Sequence, residues 1–328
     1  MIRTLGGKDM PAIGLGCMNV SHAYQPAIPE EDAIRLFRRA LDLGYRHFDT
    51  SRIYGLGRNE ELVGQALEGR RGEVFLASKM GLFADGKGRR VDCSPAAIRG
   101  EVEKSLRALR TDFIDLYYMH RRDFTVPIEE SAQAMGDLIR AGKIGGYGLS
   151  EVSADTLRRA HVVTPVAAVQ NEYSLATRNA ELGVLQATAE LGVALVAFSP
   201  VARGLLANTL HDPAELTEGD MRRRMPRFQA EHWPANRELA GRFNAIAAEQ
   251  GVTPAQLSLA WVLSRGGHVH VIPGTANIAH LEENIARADW MPDADVLDRL
   301  DVLVNHQTVS GHRYNSAMQS TIDTEDFA

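Results

Sequence analysis

Short apolar runs alternate with amphipathic segments along almost the whole chain. Eight runs rich in β-branched and aromatic residues read as strands. They are AIGLGCM (12–18), RHFDT (46–50), VFLASKM (74–80), IDLYYMH (114–120), GGYGLSE (145–151), AAVQNEYS (167–174), ALVAFSP (194–200) and VHVIPGT (269–275). Between them apolar positions recur at helical spacing. In SPAAIRGEVEKSLRALR, Ile98, Val102, Leu106 and Leu109 share a face, Ser94 suits the N-cap and Pro95 the first turn. In EDAIRLFRRALDLG, Ala33, Phe37, Ala40 and Leu41 repeat the pattern and Gly44 marks the stop. Eight strands, each followed by helical sequence, predict the α/β class and a (β/α)8 TIM barrel. A doubly wound sheet would usually be shorter or interrupted between two halves.

The irregular stretches add detail. RTLGGKDMPAIGLG has the Gly-Gly and Pro signals of a hairpin and predicts an N-terminal cap on the barrel floor. Residues 201–235 form a long connection without a clear period, the kind that serves as a lid or binding loop. The tail from Asn305 also lacks periodicity and is expected across the barrel mouth. No linker, repeat or low-complexity segment divides the chain, so residues 1–328 are expected to form one domain. The 328 residues, 45% hydrophobic, are within the size such barrels reach.

Composition narrows the partners. The formal charge is 36 − 42 = −6, and the one basic cluster, Arg222-Arg223-Arg224, follows Glu218 and Asp220. Nucleic acid and membrane are therefore not expected partners. Two cysteines, Cys17 and Cys93, make no disulfide framework. MIRTLGGKDMP has no apolar h-region and no 18-residue apolar stretch occurs, so a cytoplasmic location is expected. The sequence carries no signature of an oligomeric state.

Polar residues stand at the C-terminal end of strand after strand. Asp49 ends the second, Lys79 the third and His120 the fourth. Ser150 and Glu151 end the fifth, Gln170 and Asn171 the sixth, Ser199 the seventh and Thr275 the eighth. In a barrel these ends ring the mouth that holds active sites. Singly, a strand-end Asp is a cap, a Lys is solvated and a His is a core residue. An acid, a lysine, a histidine and Tyr54 on three adjacent strands are harder to assign to capping. Lys79 offers Asp49 the positive partner that a buried carboxylate needs. Its ammonium should also favour the Tyr54 phenolate, drawing a pKa of about 10 toward neutrality. Such a phenol is a general acid, and His120 can direct an N–H at the same oxygen. The set suits carbonyl reduction; it has no nucleophile–base pair for acyl transfer and no metal cage.

With these residues in place the chain resembles the aldo-keto reductases, in their long-loop bacterial and plant branch of pyridoxal-reductase-like and perakine-reductase-like members. GYRHFDTSRIYG, ASKM and IDLYYMH are similar to the family's tetrad motifs and imply Asp49, Tyr54, Lys79 and His120 as catalytic residues. GKIGGYGLSE, VQNEYSL, AFSPVARGLL, VIPGT and LEEN extend the resemblance over nearly the whole length. MHRRDFTVPIEES, MRRRMPRFQ and GHRY carry the long-loop character.

The resemblance implies NADPH lying extended over the barrel mouth, with NADH as the alternative. No G-x-G-x-x-G follows a strand; GLGRNE fails at its last position. By the resemblance, Ser150 and Gln170 hold the nicotinamide carboxamide and Phe198 stacks on the ring, where many members have Tyr. Glu151 stands where many have Asn, and its carboxylate can accept but not donate. Cys17, Met18 and Asp49 border the same site. Ser199, Pro200, Val201, Arg203 and Gly204 follow along the loop, with Arg203 on the pyrophosphate. At the adenosine end, Gly274 and Thr275 replace the Lys-Ser of many members and His280 replaces Arg. Glu283 and Asn284 match adenine contacts. Without the two cations, the preference for NADPH over NADH should be modest. No metal is expected: His268 and His270 share a face on the barrel floor without a third ligand.

The expected activity is therefore reduction of a small-molecule aldehyde or ketone, with its pocket built from the long loop, the tail, Met18, Met80 and Arg121. Three alternatives remain at this stage. The same site would serve an alcohol or sugar dehydrogenase working in the oxidative direction. A cofactor-sensing subunit on this fold would retain the same residues. A phosphate-binding barrel lyase or isomerase would need a glycine-rich phosphate loop after the seventh or eighth strand, which is missing.

Overall fold

Alternation of strand and helix closes into a barrel. A computed structural model describes residues 1–24, 26–85, 88–210 and 212–327. Its eight barrel strands are β1 (Leu15–Gly16), β2 (His47–Asp49), β3 (Phe75–Met80), β4 (Ile114–Met119), β5 (Ile144–Ser150), β6 (Ala168–Glu172), β7 (Ala194–Phe198) and β8 (Val269–Val271). All neighbours are parallel and follow chain order. Closure between β8 and β1 rests on two single bridges, Ile13 with Val271 and Gly16 with Gly274. Most strands are shorter than their apolar runs, and β1, β2, β4, β6, β7 and β8 stop before the run does, which continues into the loops at the mouth. Among the described residues no helix is long and apolar enough to cross a membrane.

Two apolar layers hold this arrangement. The helix Pro95–Ala108 starts at Ser94, whose side chain accepts from the Ala97 N–H, and it buries Ile98, Val102 and Leu106. The helix Glu30–Asp42 buries Ala33, Leu36, Phe37, Ala40 and Leu41, and the chain then turns at Gly44 with φ +97°. These faces form the layer between helices and barrel. A second cluster fills the barrel interior, with Phe75, Ala77, Leu116, Tyr118, Ala168 and Val196 among its members. Gly148 gives Tyr118 its room, since a Cβ there would lie 2.3 Å from the ring. Full burial of each large apolar side chain contributes roughly 1.5–3 kcal/mol.

The hairpin Ile2–Leu5 with Lys8–Pro11 stops the floor, and its Leu5 and Met10 enter the interior cluster. Arg3 ties it to the carbonyls of Gly266 and Leu263 at 2.8 and 2.7 Å. A second hairpin, Leu82–Asp85 with Gly88–Val91, has no counterpart in the apolar pattern. It follows β3 directly and stands over the mouth. Of the predicted loop 201–235, residues 201–232, apart from 211, run as loop and short turns, and the helix Trp233–Glu249 already begins at its end. The tail after Tyr314 covers the mouth, with the Asp323 N–H donating to the Glu151 carbonyl at 2.9 Å.

Candidate active site

The strand ends bring the acid, the lysine, the tyrosine and the histidine together. Asp49 is the last residue of β2 and Lys79 sits near the end of β3, at 2% and 1% exposure. Their side chains form an ion pair. Lys79 Nζ also donates to the Thr50 carbonyl at 3.0 Å, and Asp49 Oδ2 accepts from Gln170 Nε2 at 2.8 Å. Both carboxylate oxygens and two of the three ammonium protons thus gain a partner, as buried charges require. Tyr54 opens a tight turn through Gly55 and Gly57, at φ +55° and +98°. A side chain at Gly57 would be strained by its φ and would have to displace the Arg52 guanidinium, 2.3 Å from the Cβ position. This turn holds the Tyr54 ring 5.3 Å from Lys79 Nζ, and Lys79 hydrogen-bonds the phenol.

His120 follows β4 and meets Tyr54 edge to face, with ring centroids 5.9 Å apart. His22 stacks on Tyr54, also at 5.9 Å. His120 Nδ1 lies 3.0 Å from Ser51 Oγ. A Ser51 hydroxyl donating there leaves Nε2 as the N–H donor of the imidazole.

Burial sets the electrostatics. It opposes the Lys79 charge, but Asp49 and Tyr54 outweigh it and hold the ammonium above its ordinary range. The expectation for Tyr54 is reversed. Burial raises the phenol above its ordinary value of 10, and the pull of Lys79 does not overcome it. Tyr54 therefore keeps its proton at neutral pH. His120 is held well below the usual imidazole range by burial first, then by Arg121, Lys79 and Arg89, so it is neutral.

A cavity of about 1500 Å³ runs across the mouth over this cluster. Asp49, Tyr54 and His120 line one part of it, and Met18, Ser150, Gln170 and Phe198 face the same space. Ser199, Pro200, Val201, Arg203 and Gly204 form another wall. Here Ser199, Ala202 and Arg203 adopt φ of +52°, +49° and +57°, beside Gly204 at +93°. Left-handed conformations at non-glycine residues cost on the order of 1–3 kcal/mol each and cluster at functional sites. Successive backbone N–H groups in such a turn make a concavity suited to an anion.

At the far end lie Gly274, Thr275, His280, Glu283 and Asn284. Thr275 Oγ1 accepts from the Asn277 N–H at 3.0 Å and lies 3.3 Å from His280 Nδ1. The helix Ile278–Ala286 begins there, with Asn277 as N-cap. A Cβ at Gly274 would come 2.5 Å from Asn19 Oδ1 and 3.0 Å from the Gly16 carbonyl oxygen. Room for an extended molecule, an anion-suited turn midway and a helix N-terminus at one end together fit a dinucleotide.

Four expectations do not match the structure. Glu151 is fully buried away from the cavity, paired with Arg313 at 3.0 Å and accepting from Thr324 Oγ1 at 2.9 Å. Cys17 is buried with its thiol directed at the Leu15 carbonyl, 3.7 Å away, and is not part of the cavity wall. Arg203 borders the cavity, but its guanidinium donates to Glu172 at 2.6 Å, Tyr24 at 2.9 Å and Tyr314 at 3.1 Å. Its side chain is thus committed within the protein, and in the same turn the Ala202 and Gly204 N–H groups donate to the Ser199 and Val201 carbonyls at 2.9 and 3.1 Å. Met80 is core, and Leu82 and Arg89 of the second hairpin take the pocket place expected for it. Among the described residues no cluster of three or more metal-ligating side chains occurs.

The profile of the Aldo/keto reductase family matches residues 12–305. The chain belongs to that family. It is 39% identical to the Schizosaccharomyces pombe aldo-keto reductase yakc, named for NADP(+), over 98% of this chain and 96% of that protein. Among solved structures, the glycerol dehydrogenase AKR11B4 from Gluconobacter oxydans superposes with a TM-score of 0.85 at 26% identity, covering 96% of this chain and 98% of that one. A Klebsiella pneumoniae aldo/keto reductase, solved with NADP and acetate, gives 0.72 at 28% identity over 98% and 99%.

This aldo/keto reductase also places near Tyr54 and His120 residues that the strand-end pattern does not reveal. Ser51 was open to detection, two positions beyond Asp49 in HFDTS. His22 comes from a loop and Arg89 from the second hairpin, neither with a motif.

Proposed function

We propose that this aldo/keto reductase converts an aldehyde or ketone to the alcohol, using NADPH as reductant and Tyr54 as general acid. The observation that carries the reading is the contact set of Tyr54: Lys79 at its hydroxyl, His120 at its edge and Asp49 behind Lys79. A reduced nicotinamide, when bound, supplies the hydride. Ser150 and the Gln170 carbonyl oxygen hold its carboxamide, and Phe198 covers the ring. The backbone of residues 199–204 receives the pyrophosphate. Thr275 and His280 receive the 2′-phosphate, while Glu283 and Asn284 hold the adenine. The relatives named for or solved with NADP support this choice of cofactor.

The substrate carbonyl oxygen lies between the Tyr54 hydroxyl and His120 Nε2–H. As the carbonyl carbon gains its new C–H bond, the π pair moves to oxygen and takes the Tyr54 proton. Lys79 stabilises the phenolate left behind, and Asp49 keeps Lys79 charged and in place. A neutral His120 serves as a hydrogen-bond donor that does not compete as an acid. Because Tyr54 is protonated at neutral pH, reduction is the direction for which the site is prepared; alcohol oxidation would need its phenolate.

Tyr54→Phe should lower the reduction rate by about 10²–10⁴ and leave NADPH affinity, read by fluorescence titration, nearly unchanged. Near-wild-type turnover would remove Tyr54 from this role. At the adenosine end, His280→Arg should widen the preference for NADPH over NADH, since charged donors bind a phosphate more strongly than neutral ones.

A further inference from the structure

Among the described residues, two arginines at the reacting end of the cavity have no acidic partner. Arg89 is carried by the second hairpin, opposite Ala84 in register, and lines the cavity with Tyr54 and His120. Its neighbour Arg90 behaves differently: it pairs with Asp92 at 2.8 Å and covers Phe83. Arg121 follows His120 and donates to the His120 carbonyl at 2.6 Å. Among the described residues neither Arg89 nor Arg121 forms an ion pair. They are also mutually repulsive, for Arg121 helps to depress the Arg89 pKa after burial.

The nearby charges leave this surplus uncancelled. Lys79 and Asp49 neutralise each other, and both His22 and His120 are held below their ordinary pKa by burial and by these arginines. The other carboxylates on the cavity wall are engaged or distant. Asp32 pairs with Arg35 at 2.8 Å, Asp220 pairs with Arg222 at 2.7 Å, and Glu283 belongs to the adenosine end. Nor does the dinucleotide supply the missing anion, because its phosphates are assigned beside β7 and β8. In an eight-strand barrel β3 and β4, which carry Arg89 and Arg121, lie across the mouth from those strands.

We infer that Arg89 and Arg121 form the specificity site for a substrate that joins the carbonyl to an anionic group, a carboxylate or a phosphate. The inference rests on the carbonyl-reductase reading of Tyr54 and His120 and goes on to name the substrate class. Two guanidinium forks can meet such an anion with paired N–H donors. The neutral His120 and protonated Tyr54 remain for the carbonyl oxygen.

The test uses the full chain with NADPH and matched substrates. 4-Carboxybenzaldehyde is compared with its methyl ester, and glyceraldehyde 3-phosphate with glyceraldehyde. In the wild type, kcat/KM should favour one or both anions over their neutral partners, and the advantage should shrink as salt rises. The pair that shows it distinguishes carboxylate from phosphate. Arg89→Met and Arg121→Met should each lower the anion-to-neutral ratio about ten- to hundredfold, mainly through KM. Arg89 stands on an exposed hairpin, so its variant should unfold at the wild-type temperature, which a thermal melt verifies. If both neutral partners are reduced as well as the anions, or the Arg89→Met ratio does not move, the inference is overturned. Consumption of NADPH by none of the four would instead overturn the carbonyl-reductase reading. Benzoate, which has the anion but no carbonyl, then tests the arginines separately: it should raise the melting temperature of the wild type more than that of Arg89→Met, and equal shifts would overturn the inference too.

Discussion

Lys79, at 1% exposure, touches the Asp49 and Tyr54 side chains and the Thr50 carbonyl at once, so one charge orders two side chains and the backbone between them. Its ammonium is favoured by Asp49, while the phenol beside it stays protonated because burial is the larger effect. A rate consequence follows. Reduction needs Tyr54 with its proton, and that proton leaves only as pH rises through a pKa above 10. His120 is neutral throughout the working range and adds no ionisation of its own. The single-turnover rate of reduction should therefore be flat from about pH 6 to 9 and fall only above about 10. A falling limb near neutrality would show that Lys79 dominates after all. The identities of these residues were legible because each interrupts an apolar strand at its C-terminal end. The direction of the Tyr54 shift was not, since it depends on which distant side chains exclude water from the ring.

A buried ionic lattice joins the tail and the long loop to the ends of β5 and β6. Glu151 and Glu172 receive Arg313 and Arg203, and Arg227 adds a bond to Thr177 Oγ1 at 2.6 Å. Burial acts to raise the Glu172 pKa, yet Arg203 and Arg313 pull it down to about 2. Arg227 is lowered to about 10, by burial first. Removing one partner of a buried pair strands the other charge, at about 3–5 kcal/mol. Arg313→Met should thus lower the unfolding free energy by that order in urea and speed hydrogen exchange at the Asp323 amide, which is bonded to the Glu151 carbonyl. Adding Glu151→Gln should restore most of the loss. The helices and strands themselves were readable from their periods, and Ser94 from its capping role. The Glu151–Arg313 pair was not, as 162 positions separate its members. The hairpin over the mouth escaped for another reason: GLFADGKGRRVD has too few apolar residues to alternate.

Across the whole molecule, the barrel could be read from eight alternations of strand and helix, and His270 could be placed on its floor, but not His47 beside it. His47 and His270 are both buried there, and burial lowers each to about 3 from an ordinary 6.5. Between those values the unfolded chain binds the protons and the folded chain does not, so stability rises with pH through this window and is lost on acidification below 6.5. Each histidine should remove about 2 kcal/mol between pH 6.5 and 5, read as a falling urea midpoint. His47→Leu should make that fall shallower. Glu172 acts in a separate window: its contribution is present above 4.5 and lost as pH falls toward 2.

Barrel closure also limits what descendants of this protein can become. The β1–β8 seam sets Gly16 against Gly274 and leaves the Gly274 Cβ direction occupied by Asn19. A lysine at 274 would supply a second cation for a 2′-phosphate, but as a single step it forces Asn19 aside and crowds the Gly16 carbonyl. Shortening Asn19 would relieve the nearer of these contacts, but the Gly16 carbonyl oxygen, 3.0 Å from the Cβ position, is backbone and would stay in place. His280 stands outside the seam and carries no such condition. Adaptation toward stricter NADPH use should therefore pass first through His280, because any side chain at 274 has to fit against the Gly16 backbone across the seam.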